Sequence, residues 1–326
     1  MPAQLTTTDQ HSVSTDPFIS IGGLESPPGH FKLAASPFSE PRLCRQTFGG
    51  IVMGIRLLFR KRLTATVAVC LLCLLHATAA DDPTLTKEQI KEFLLTAKIV
   101  GIKQASKGIT GTKRLTLSDG KVTHDASYQS IDEYKTSKQM ANGRTELNFV
   151  DSYKYNIAAY TLAEMLGIED MLPVYVERKY QGNSGSLSWW LPVKMDEADR
   201  VQQKVAVPDS DAWNNQMYRV RVFDELVYDT DPNLTNVLIG EDWKIWRIDF
   251  SRAFRLSKDL KESNNLVRCD RHLLERLKTL DGNQLAEKTK RYLTKDAVKA
   301  VMARRDKIVA RFEQLISEKG EAAVLY

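Results

Sequence analysis

The sequence predicts an α+β chain in two lobes, strand-rich over 85–193 and helical over 194–326. Three observations carry this. Between Ala97 and Val193, short runs rich in Val, Ile, Leu, Tyr and Thr are cut by glycine-containing turns, the punctuation of antiparallel hairpins. Beyond Met195, apolar residues recur at helical spacing, as at Met217, Val220, Phe223, Leu226 and Val227. Inside that helical half lies a loop–strand–turn–strand unit: Asp231-Pro232-Asn233-Leu234-Thr235-Asn236, then Val237 to Ile239, Gly240-Glu241-Asp242, and Trp243 to Ile248, ending on Asp249.

The N-terminus reads as sorting sequence. Residues 1–52 are rich in Ser, Thr, Pro and Gly, have no sustained apolar period, and are expected to be disordered or untranslated. From Met53 a basic stretch (Arg56, Arg60, Lys61, Arg62) leads into an apolar run, Leu63 to Leu75, and small residues at Ala77 and Ala79. This is the pattern of a signal peptide over 53–80, with an uncleaved N-terminal anchor as the alternative. The apolar run is shorter than the roughly 20 residues of a comfortable membrane span. An exported protein is expected, secreted, periplasmic or in a secretory-pathway lumen, touching a membrane only through such an anchor.

Of the 46 Lys/Arg and 41 Asp/Glu, seven and four fall before Ala80, leaving 39 and 37 and a net charge of +2. No basic stripe stands out, which argues against nucleic acid as a partner. Of four cysteines only Cys269 lies beyond the leader, so no internal disulfide is expected and an apolar core must hold the fold. The two histidines there, His124 and His272, form no zinc pattern with it.

Element by element, Thr84 or Thr86 caps a short amphipathic helix reaching Ala97. Ala97 to Lys103 reads as a strand, Gln104 to Thr112 as a turn with Gly108 and Gly111, and Lys113 to Ser118 as the return strand. Asp119-Gly120 makes a tight turn into a strand over Val122 to Ile131. Ser152 to Leu166 is a helix ended by Gly167, with Ile157, Tyr160, Leu162 and Leu166 on its buried side. Leu172 to Tyr180, the turn Gln181 to Gly185, and Ser186 to Val193 form another hairpin. The chain is then helical: Asp211 to Tyr228, Arg271 to Leu280, Gln284 to Tyr292 and Lys295 to Lys319.

The loop unit carries the chemistry. A strand hairpin after Asn236 brings Asn236 and Asp249 together, with Asp231 at the loop mouth. Phosphoryl transfer needs such a set: a base for the acceptor hydroxyl, and an amide and a carboxylate to hold the metal on the phosphates. Asp-Pro-Asn is also a good plain turn sequence.

This stretch resembles the catalytic and metal loops of the protein-kinase-like superfamily, nearest to the branch of the phosphatidylinositol 3-/4-kinases and HipA-like kinases. Those families carry Asp-Arg-His-x-x-Asn and then Ile-Asp-Phe/His-Gly. Here Pro232-Asn233 stands for Arg-His, and Ser251 for the glycine. Tyr155 to Ile168 followed by Leu172 to Val176 is similar to the helix-then-strand of the same branch. The resemblance runs from about Leu85 to the C-terminus and is strongest between Tyr153 and Phe254. It implies a two-lobed protein-kinase-like fold with a strand-rich N-lobe and a helical C-lobe. It also implies Asp231 as base, Asn236 and Asp249 as Mg2+ or Mn2+ ligands, and ATP as donor. Gly108 and Gly111 would cover the phosphates, and Trp190, in Trp189 to Pro192, would stand at the hinge against an adenine ring.

Two departures complicate it. Where these families place Ala-x-x-Lys the strand reads Ala126-Ser127-Tyr128-Gln129, and where the helix has Glu it reads Asn156. Gln129 with Asn156 can hydrogen-bond without charge, whereas losing only the lysine would leave a buried unpaired carboxylate. Either Lys113 or Lys103 replaces the missing cation, or the site no longer turns over and the chain is a pseudokinase, an exported binding or scaffold module. Lys135, Lys138, Glu146 and Asp151 are alternative members of the pair. The acceptor, whether protein, lipid, sugar or another small molecule, is not encoded in any motif.

Overall fold

Thr86 opens the first helix, α1 (Lys87–Thr96), through a reciprocal capping box with Gln89. The computed structural model describes residues 85–104, 112–140, 143 and 145–326. The expected leader and the turn with Gly108 and Gly111 lie outside the described residues.

Strands β1 (Lys98–Gln104), β2 (Lys113–Ser118), β3 (Thr123–Gln129), β6 (Tyr175–Tyr180) and β7 (Asn183–Trp189) build one sheet in the order β1-β2-β3-β7-β6. All its pairs are antiparallel. The expected turn at Asp119-Gly120 forms as read. The Asp119 carboxylate accepts the N–H groups of Lys121 and Val122, and Gly120 sits at φ +91°. The second hairpin is tighter than expected. Gln181 and Gly182 alone turn it, both at positive φ (50° and 82°), and Asn183 to Gly185 belong to β7.

Between β3 and the central helix α2 (Tyr153–Leu166) lies a hairpin the sequence reading did not contain, β4 (Asp132–Gln139) with β5 (Thr145–Ser152). Its strands are largely exposed and polar, so no apolar alternation announces them. The helix α2 is capped by Ser152 and stopped by Gly167 in the left-handed conformation, φ +70°. It buries Ile157, Tyr160, Leu162 and Leu166 as expected, and Asn156 with them.

The helical half is not purely helical. Met195–Asp196 (β8) pairs with β9 (Val237–Ile239), which pairs with β10 (Ile245–Arg247). Between them come α3 (Glu197–Gln202) and α4 (Ser210–Val227), capped by Asp209. The chain closes with α5 (Arg271–Thr279), α6 (Gly282–Thr289), α7 (Lys295–Lys319) and α8 (Glu321–Val324). One continuous apolar core runs from Phe93 and Leu94 through α2 and α4 to Phe312 and Leu315. Among the described residues, no helix is long and apolar enough to cross a membrane.

Candidate active site

Helix α4 ends with Tyr228 in the left-handed conformation (φ 50°), which turns the chain out into the loop. Asp229 is buried there. One of its carboxylate oxygens accepts the Asp231 N–H at 3.0 Å, and the other takes the guanidinium of Arg247. Arg247 is only 1% exposed and also bonds Asp224 at 3.1 Å and the Ile248 carbonyl. Burial pushes the carboxyls of Asp224, to about 6, and Asp229 up, against the pull of the arginine charge. One guanidinium thus neutralises buried Asp229 and half-buried Asp224, and the loop bearing Asp231 hangs from the first of them. Thr230 adds its own bonds to the Arg252 carbonyl, 3.0 Å from the hydroxyl. The sequence reading missed Arg247, Asp224 and Asp229. The only signal was an arginine inside an otherwise apolar strand.

Asp231 is exposed at the loop mouth, as expected. The register of β9 with β10 continues through Ile248, whose N–H donates to the Asn236 carbonyl at 2.9 Å. That bond sets Asn236 opposite Ile248, the residue before Asp249. Asp249 itself sits at φ +56°, a conformation an L-residue adopts at a cost of order 1–3 kcal/mol. What holds it there is Phe250, fully buried and edge-on to Phe223 at 5.3 Å, with its N–H donating to Asn156 Oδ1 at 2.6 Å. The hydroxyl of buried Tyr175 bonds the Asp249 backbone.

Gln129 and Asn156 meet as the sequence suggested. Asn156 Nδ2 donates to Gln129 Oε1 at 2.6 Å and, more weakly, to Ser186 Oγ at 3.4 Å. Gly185 permits this. A Cβ there would lie 2.5 Å from the Gln129 carbonyl oxygen, so any other residue would push β7 off β3.

Lys113 is a correction. It shares its face of β2 with Leu115 and Leu117, pairs with Tyr128, and sets its ammonium 5.4 Å over the Tyr180 ring. Arg178, on that same face, bonds the Leu94 and Ala97 carbonyls of α1 at 2.6 Å each. Strand alternation puts Gln129 on the other face. The cations on Gln129's face are Arg114 and Lys103, both paired to Asp125, with Arg114 Nε at 2.5 Å and Lys103 Nζ at 3.6 Å. Trp190 is half-buried there. Its backbone N–H donates to the Asp125 carbonyl at 3.2 Å and the Arg114 guanidinium lies over its ring at 4.2 Å. Trp189 points away, edge-on to Phe93 in the core.

Of the alternatives, Lys135, Lys138 and Glu146 lie on the β4–β5 hairpin. Glu146 binds Arg252 and Arg255, locking the hairpin to the segment after Asp249, and Ser152 N–H donates to the Ser251 carbonyl at 2.9 Å. Asp151, at the hairpin's end, is 7% exposed, and its Oδ1 is buried with no hydrogen-bond partner. Burial raises its carboxyl, Ser251 bonds it, and the Asp249 charge raises it further.

The donor types suit a divalent cation: Asp249 and Asn236 carry hard oxygens and are joined through the Ile248-to-Asn236 bond, and Asp151 Oδ1 is a buried carboxylate oxygen lacking any partner. Among the described residues, no group of three or more His, Cys, Asp or Glu gathers. Two surface clefts of about 520 Å³ each lie elsewhere, between α1, α2 and α6, and include none of these residues.

No protein-family model matches the chain, and no curated protein does. Solved structures do. Fam20 of hydra, determined with a sugar, superimposes with a TM-score of 0.54 at 16% identity, over 75% of this chain and 93% of that one. The Golgi casein kinase gives 0.53 at 12% identity, over 73% of this chain and 78% of that one. The Helicobacter pylori proinflammatory kinase CtkA gives 0.42 at 11% identity, over 69% and 98%. The fold is therefore that of an atypical protein-kinase-like protein, a strand-rich lobe followed by a helical one.

Proposed function

We propose that the chain is a kinase-like phosphotransferase using ATP with Mg2+ or Mn2+ on a hydroxyl acceptor. The observation that supports this is the Ile248-to-Asn236 backbone bond, which pairs Asn236 with the residue before Asp249, together with the Asp229 carboxylate that accepts the Asp231 N–H. Asp231 accepts the acceptor's hydroxyl proton. That oxygen forms the new bond to the γ-phosphorus as the bond from phosphorus to the β–γ bridging oxygen breaks, releasing ADP. Asn236 and Asp249 would hold the cation, which when bound neutralises charge on the transferring group. Arg114 and Lys103, not Lys113, are the chain's cations for phosphates, and the adenine lies against Trp190. The branch of the phosphatidylinositol 3-/4-kinases and HipA-like kinases rests on Asp231, Asn236 and Ile248-Asp249-Phe250, and on the helix-then-strand of Tyr155 to Ile168 and Leu172 to Val176. The domains divide at the linker after Trp189. Export is supported by the basic-then-apolar leader and fits a fold shared with a Golgi kinase.

A second reading, a pseudokinase scaffold, is favoured by one observation: Gln129 and Asn156 satisfy each other without charge. Thermal shift with ATP and Mg2+ or Mn2+ separates the two, because a ligand bound to the folded state raises the melting temperature. The enzyme reading expects a shift lost in Asp249→Asn, and phosphate transfer lost in Asp231→Asn with the shift retained. A folded wild type with no shift and no transfer overturns it in favour of the scaffold.

A further inference from the structure

We infer that Asp151 is a further ligand of the cation held by Asn236 and Asp249, so that a carboxylate from the strand-rich half completes the metal site. This rests on the phosphotransfer reading above. Asp151 ends β5, immediately before the Ser152 cap of α2. The Ser152-to-Ser251 backbone bond ties that point to the metal loop two residues past Asp249. The side chain is more than nine-tenths buried, and Oδ1 is orphaned. Buried carboxylate oxygens are normally satisfied, because an unpaired one is expensive. The nearest acid is another carboxylate, which worsens the cost unless a cation lies between them. Of the positive side chains that Asp151 feels, Lys138 is engaged elsewhere and Arg252 is engaged through Nη2, its buried Nε lacking a partner as well. Arg252 binds Glu146, and Lys138 binds Glu133 and lies over the Phe149 ring at 4.0 Å.

The arrangement has a consequence for the missing ion pair. In a kinase the strand lysine and helix glutamate charge the cleft from the N-lobe. Here that pair is the neutral Gln129 with Asn156, and Asp151, five residues before Asn156, supplies the N-lobe's charge instead. The N-lobe then touches the metal directly rather than through a lysine.

Mn2+ binding to the purified full-length chain, read by electron paramagnetic resonance with and without ATP, tests this. Asp151→Asn is expected to weaken Mn2+ binding by about tenfold or more, the size typical for loss of a supporting carboxylate. In EDTA the same variant is expected to melt at or above the wild-type temperature, because it removes a buried unpaired carboxylate. A merely structural Asp151 would do neither. Asp151→Glu, which keeps the charge one methylene away, guards against a folding defect and is expected to bind with intermediate affinity. If Asp249→Asn loses Mn2+ while Asp151→Asn and Asp151→Glu both bind like wild type, this inference is overturned and the phosphotransfer reading stands. If wild type binds no Mn2+ with or without ATP, both are overturned.

Discussion

Asn156 and Gln129 share a hydrogen bond of 2.6 Å where a kinase has a salt bridge, and the same Asn156 accepts the Phe250 N–H. One amide therefore couples β3, α2 and the metal loop. Because a backbone N–H must meet an oxygen, Phe250 fixes which way the Asn156 amide points, and Gln129 answers it. Removing it takes the Asn156 donor from Gln129 Oε1 and the acceptor from the Phe250 N–H together. Asn156→Ala is expected to lose about 2–4 kcal/mol in denaturant melts, roughly one to two buried unsatisfied groups. Gln129→Lys and Asn156→Glu are each expected to destabilise by about 3–5 kcal/mol as uncompensated buried charges, while the double variant recovers much of the loss. A double-mutant cycle with no coupling would refute the pairing.

Arg247 is the second internal pivot. Its guanidinium is shared between Asp224 and Asp229, and Asp229 holds the Asp231 N–H. Arg247→Met leaves buried Asp229 uncompensated, with half-buried Asp224 beside it, and is expected to cost about 3–5 kcal/mol. Adding Asp224→Asn and Asp229→Asn is expected to restore most of that, but not phosphate transfer, because the loop has lost its anchor. Thermal melts of the single and triple variants decide it.

Asp125 supplies a pH dependence. Burial alone pushes its carboxyl up, but hydrogen bonds from Thr116 and Arg114, and the charges of Arg114 and Lys103, outweigh this and hold it below the usual carboxylate value of 3.8. A carboxyl lowered in the folded state adds stability that is fully present above its unfolded value and is lost as pH falls through the folded one. Asp125→Asn is therefore expected to lower stability near neutral pH and to flatten the loss of stability below about pH 4. Equal acid limbs for both proteins would refute the assignment.

How much of this was legible follows from which forces acted locally. Strand β9 (Val237 to Ile239), the Thr86 cap and the Gly167 stop could be read because short-range patterns determine them. The face of Lys113 was not legible, because a lysine at the start of a strand does not reveal its side until Leu115 and Leu117 are known to be buried on it. The β4–β5 hairpin was illegible because its partners, Arg252 and Arg255, lie more than a hundred residues away. Arg247 was passed over for the same reason: its two acids sit on α4 and in the loop beyond it.

The last prediction concerns that hairpin. Glu146 receives one guanidinium on each carboxylate oxygen, Arg252 on Oε2 and Arg255 on Oε1, and Arg255 also donates to the Asn148 carbonyl at 2.7 Å. The three side chains are 23%, 11% and 14% exposed, so the network is screened less than a surface pair. Ser152 and Ser251 tie the other end of β5 to the same segment. The clamp thus holds the chain just past Asp249 at two points. Glu146→Gln keeps the shape and removes the charge, so the segment from Arg252 to Ser257 is expected to exchange its amide hydrogens faster. The core around Phe250 should not change, since Asn156 and Phe223 hold it independently. The global loss is expected to be about 1–3 kcal/mol. Unchanged exchange across 252–257 would show that Ser152 alone pins the segment. Accelerated exchange confined there would mark the hairpin as the strap that fixes the approach to the metal loop.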